Sequence, residues 1–125
     1  MAIRRSRKLT LTIAADATAS GAVWVADVHV RAIEMPASIT GDNPTVALQN
    51  AAIGDQSGTN TAPSTFFAMV DGNGVPVTFR VQTGKHLVLT ETERDAFEAG
   101  HWVRLVASAS QAAARTFYLI GTQGD

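Results

Sequence analysis

The chain has 125 residues, of which 46% are apolar, no cysteine, and a formal net charge of −1. That length suits one domain around a single core, and the apolar share speaks against wholesale disorder. Lack of cysteine excludes disulfides and thiolate-held metals, and no apolar run approaches the ~20 residues that cross a bilayer.

Charge is unevenly spread. Arg4, Arg5, Arg7 and Lys8 are four of the ten basic residues, and residues 9–125 keep six basic against eleven acidic ones, a net −5. The sequence therefore divides into a basic N-terminal arm, residues 1–8, and a mildly acidic body, residues 9–125. The arm, "RRSRK", has two readings: a tether for an acidic surface, nucleic acid or a neighbouring subunit, or a solvated tail. Four cations reach only a few phosphates, and no aromatic or basic sheet accompanies them, so no dedicated nucleic-acid binding is expected. A basic start before "LTLTIAADATASG" also raises a signal peptide. Thr10 and Thr12 interrupt that apolar stretch, and alternation of Leu9, Leu11 and Ile13 with them fits a half-buried strand better.

Taken in order, period-two runs place strands at residues 9–14, 22–35 (one bent strand or two), 45–50, 65–70, 75–81, 85–89, 101–107 and 115–121. In "AVWVADVHVRAIEM", Trp24, Ala26, Val28, Val30 and Ala32 fall on one face, and Asp27, His29 and Arg31 on the other. Pro36 lacks a ladder donor and ends that run. "TGDNPT" supplies a turn. "IGDQSGTNTAPS", residues 53–64, is the longest polar stretch and reads as an exposed loop. "VDGNGVPV" predicts a hairpin with Gly72 or Gly74 left-handed. One helical signal follows in "LTETERDAFEAGHW". There Thr90 and Glu93 form a capping box, acidic residues fill the first turn, Phe97 anchors the helix, and Gly100 offers a left-handed stop. The pattern predicts an all-β chain: an antiparallel β-sandwich or jelly roll of about eight strands, with one short helix near residues 91–99. An immunoglobulin-like sandwich gives a similar pattern.

Chemistry-bearing residues are sparse. His29, His86 and His101 each stand apart from other zinc ligands. Asp71 and Asn73 in "DGNG" have oxygens for calcium, but a hairpin turn explains both. No serine lies in G-x-S-x-G, and "GNGVP" lacks a phosphate-loop lysine. Glu91, Glu93, Asp95 and Glu98 share one helix, where a solvated face is the default. No catalytic residue, metal or cofactor is assigned, and the chain is not expected to be an enzyme. Trp24 and Trp102, within strands, fit core or near-core anchors; with Tyr118 they are the candidate aromatic residues. Exposed on one concave sheet, they would instead form a sugar-stacking platform.

Three stretches, "AIEMPASITGDNPTVALQNA", "TFFAMVDGNGVPVTF" and "HWVRLVASASQAAARTFYLIGT", occur in an order that resembles a group of small tailed-phage and prophage virion proteins. The matching pieces are residues 33–37, 66–77, 97–106 and 111–120, within roughly residues 20–122. The loop at 53–64 is longer, and the arm more basic, than in that pattern. The resemblance implies a non-enzymatic virion structural protein, first a capsid decoration (cement) protein. It would be assembled in the bacterial host cytoplasm and carried on the capsid surface. Its partners would be the major capsid protein or other virion subunits. Self-association is expected, with a trimer favoured, and no membrane is involved. Arg4, Arg5, Arg7 and Lys8 are the candidate capsid- or partner-binding residues. The alternative is a carbohydrate-binding or fibre-associated tail β-sandwich.

Overall fold

Alternating apolar residues need a second surface to cover them, and two sheets supply it for each other. The computed structural model describes residues 5–51 and 63–123. Its elements are β1 (Arg5–Ile13), β2 (Val23–Trp24), β3 (His29–Glu34), β4 (Thr45–Ala51), β5 (Phe66–Ala68), β6 (Thr78–Arg80), β7 (His86–Val88), α1 (Glu91–Glu98), β8 (Trp102–Ala107) and β9 (Arg115–Gln123). One sheet has the order β1-β9-β3-β7. The other runs β2-β8-β4-β5, with β6 also on β4. Every pairing between these strands is antiparallel, so the fold is an all-β sandwich.

The core lies between the sheets. Leu11, Ile13, Val30, Ile33, Phe117 and Leu119 come from the first, and Val46, Leu48, Phe79, Val103 and Leu105 from the second. α1 joins through Phe97, which is buried and stacks on Phe79 with ring centroids 5.8 Å apart. Burying such a ring contributes about 1.5–3 kcal/mol. The helix begins where the sequence sets it: Thr90 Oγ1 accepts from the Glu93 N–H at 3.3 Å, and the Thr90 N–H donates to Glu93 Oε1 at 2.8 Å. Its end differs from expectation. Ala99 caps it in right-handed geometry, and Gly100 has no positive φ. Gly100 serves close packing instead: a Cβ there would stand 2.8 Å from the Asn50 Cβ.

The run at 22–35 is two strands in different sheets, β2 and β3, which is why the described strands number nine rather than eight. A turn closed by the Val28 N–H donating to the Val25 carbonyl at 3.1 Å separates them. The predicted single face fails for a second reason. The register of β3 against β9 shifts between Val30 and Ala32, so Val30 and Ile33 both face the core although they are three apart. One extra residue in a bulge reverses the alternation beyond it. The "DGNG" hairpin forms with Gly74 left-handed at φ 77°. Asp71 Oδ1 accepts from the Asn73 and Val75 N–H groups at 2.8 and 3.0 Å, so the turn itself occupies this oxygen.

Candidate partner-binding surface

The basic segment is built as strand. Residues 5–8 continue β1 beyond the core, paired Arg5 with Gln123, Ser6 with Thr122, Arg7 with Gly121 and Lys8 with Ile120. This corrects the strand start predicted at Leu9 and the picture of residues 5–8 as an arm separate from the body. The reason is that β9 runs on to Gln123 and offers backbone partners as far as Arg5. Arg4 lies outside the described residues.

Side-chain alternation persists through the extension. Arg5 and Arg7 prolong the row of Leu9, Leu11 and Ile13, and aliphatic gives way to arginine where the core ends. The Arg7 guanidinium donates to Gln123 Oε1 through Nη1. Ser6 and Lys8 prolong the outward row of Thr10 and Thr12. Lys8 Nζ stands 4.0 Å from the centroid of the Tyr118 ring and 3.5 Å from Glu34 Oε2. On the other side of that carboxylate, His86 Nε2 donates to Glu34 Oε1 at 2.9 Å. The His86 hydrogen bond, ahead of the charge of Lys8, holds the Glu34 carboxyl below its ordinary value of 4.5; partial desolvation opposes them. Next to this cluster, Val88 is 77% exposed, and Ala32 lies in register with both Val88 and Ile120. The outer face of the four-stranded sheet thus combines a charged network with a small apolar strip.

The three candidate aromatic residues do not share a surface. Trp24 and Trp102 are cross-strand partners on the five-stranded sheet, edge to face at 5.5 Å, and Tyr118 lies on the other sheet. Trp102 is only 7% exposed, as an anchor should be. The histidines also stay apart. His29 pairs with Glu98 at 2.9 Å, His86 with Glu34, and His101 packs against Trp24 with ring centroids 5.1 Å apart. Of the loop at 53–64, only Pro63 and Ser64 belong to the described residues.

One polar centre had no sequence signal. Gln111 is buried, and its side chain accepts from the Thr40 N–H at 2.9 Å and donates to the carbonyls of Ala109 and Thr40 at 2.9 and 3.3 Å. Arg115 joins it by donating to Ser38 Oγ at 2.7 Å and Thr40 Oγ1 at 3.1 Å. A surface depression of about 360 Å³ beside Tyr118 is lined by Met35, Pro36, Ser38, Arg115 and Thr116. Its one guanidinium is thus engaged in fastening the loop after β3 to the start of β9. Glutamine in "SQAAAR" is unremarkable as sequence, because Thr40, with which it makes two of these bonds, lies about seventy residues away.

No protein-family model, curated protein or solved structure matches this chain.

Proposed function

We propose that this chain is a non-enzymatic structural protein of a tailed-phage particle, a decoration protein that binds the assembled head and stabilises it. One observation carries the reading: residues 5–8, with Arg5, Arg7 and Lys8, stand as an ordered basic strand beyond the core of a mildly acidic sandwich. A strand extension of that kind suits contact with a neighbouring subunit, and the order of the virion-like stretches agrees. A protein that binds only the assembled lattice deepens the lattice's free-energy well by mass action, and repetition over many sites multiplies a modest contribution. The partners are the major capsid protein and further copies of the chain, grouped as trimers at a symmetric lattice site. The carbohydrate-binding alternative has less support, since Trp102 is buried and Tyr118 lies on the opposite sheet.

Co-sedimentation tests the proposal. Heads are produced from the capsid genes of the phage or prophage that encodes the chain and are expanded before use. The full chain should sediment with them, and a chain begun at Leu9 should bind more weakly. A full chain that ignores expanded heads overturns the proposal.

A further inference from the structure

The edge of β1 has a pattern that the pairing with β9 does not use. β1 ends the sheet order, and over residues 5–11 no described strand pairs with its second side. At its far end the Gly21 N–H reaches the Thr12 carbonyl at 3.3 Å, next to the Ile13–Ser20 bridge, so Thr12 turns its backbone groups away from β9. The β1–β9 register has no shift between residues 5 and 13. Backbone direction alternates along an antiparallel strand, so Ser6, Lys8 and Thr10 also point their N–H and C=O groups outward. These three are a row of ready rungs.

The edge is also charged in one sense. Residues 1–15 contain four cations and no carboxylate. Cations on an edge discourage pairing with a like strand. A second copy centred on Lys8 would set lysine against lysine.

We infer that the outer edge of β1 accepts an extended acidic segment of another protein chain as an added strand, with Ser6, Lys8 and Thr10 as its backbone partners. Backbone rungs give the affinity, and carboxylates facing Arg5 and Arg7 on one face, or Lys8 on the other, give the selectivity. A polypeptide strand matches both features, whereas a nucleic acid matches only the charge. The inference rests on the proposed role of this segment as a contact between subunits, and names the partner's chemistry.

The probe is a short acetylated peptide alternating glutamate and valine, with a lysine–valine peptide and oligo-dT as controls. Amide exchange at Ser6, Lys8 and Thr10 should slow about tenfold or more with the glutamate peptide, and remain unchanged with the lysine peptide. Thr10→Pro removes one outward N–H and no bond to β9, and should weaken peptide binding about tenfold with the fold intact by circular dichroism. Should that variant misfold, the triple change Arg5→Glu, Arg7→Glu, Lys8→Glu serves instead and should switch preference to the lysine peptide. Unchanged exchange at these amides, equal binding of both peptides, or binding indifferent to Thr10→Pro overturns the inference. So does oligo-dT binding tighter than the glutamate peptide, or protection of the three amides by dimerisation alone. The head-binding proposal fails separately. A chain that ignores heads but takes the peptide at these rungs loses that proposal and keeps this one; a Thr10→Pro chain that binds heads as tightly as the natural chain does the reverse.

Discussion

Residues 9–13 and residues 5–8 lie on one strand and share one unbroken ladder with β9, yet different forces hold them. In the first stretch Leu11 and Ile13 are buried, and buried Phe117 and Leu119 stand in register with Leu11 and Leu9. Beyond it all four side chains of β1 are exposed, and what holds them is backbone hydrogen bonding plus Arg7–Gln123, Lys8–Glu34 and Lys8 over the Tyr118 ring. Hydrogen bonds exchanged with water contribute little net free energy each, whereas buried apolar area contributes steadily. A strand can thus be continuous in geometry and discontinuous in stability. The less stable half is also the half whose outer edge no described strand covers.

Breaking the packed half should have the largest effect. Phe117 is fully buried opposite Leu11, and Phe117→Ala leaves a cavity in the centre of the first sheet. Loss of about 3–5 kcal/mol in urea unfolding is expected. A loss below about 1 kcal/mol would mean that the sandwich centre lies elsewhere.

Gly121 marks the boundary between the halves. It faces Arg7 on one side and Val30 on the other, just before the bulge. A Cβ there would stand 2.3 Å from the His29 carbonyl oxygen, a backbone atom that moves only with its strand. Gly121→Ala should therefore cost about 2–3 kcal/mol by overpacking, and should raise exchange at Arg5 and Arg7 more than at Leu11. Uniform loosening of the whole strand would erase the distinction drawn here.

Much of this was legible in the sequence, and the gaps have physical causes. Apolar alternation and the Thr90–Glu93 box are local signals, so the sandwich and α1 follow from them directly. The bulge at Arg31 is not local: it exists only in the pairing of β3 with β9, where Val30 and Ala32 meet the adjacent residues Gly121 and Ile120. The strand nature of residues 5–8 was hidden too, because "RRSRK" has charge but no apolar alternation. The conformation of residues 5–8 is set by β9, more than a hundred residues later. Arg5, Arg7 and Lys8 were visible as cations; their arrangement on an edge was not.

A gentler change sharpens the comparison from the other half. Arg7→Ala removes the bond to Gln123 without touching the core. Global stability should stay within about 0.5 kcal/mol, with faster exchange confined to residues 5–8. A larger loss in the melting curve would show that the extension bears on the core after all.

The smallest effect concerns the anchor of Lys8 and depends on pH. Glu34 titrates below its ordinary value of 4.5 because the folded state gives its carboxylate His86 and Lys8 as partners. A carboxyl depressed on folding binds a proton less readily when folded than when unfolded. Its contribution is whole above pH 4.5 and is lost as pH falls through the lower folded value. Glu34→Gln lacks that contribution at every pH, so the natural chain should melt higher near neutrality and the two curves should converge on acidification. The sites are solvent-accessible, so the gap is small and salt shrinks it further. Exchange gives the more telling reading: acidification should loosen residues 5–8, where Lys8 loses its partner, and leave residues 9–13 to the packing that holds them. Equal loosening of both stretches, or a gap that widens toward low pH, would break the argument, because the same carboxylate would then be supporting the core.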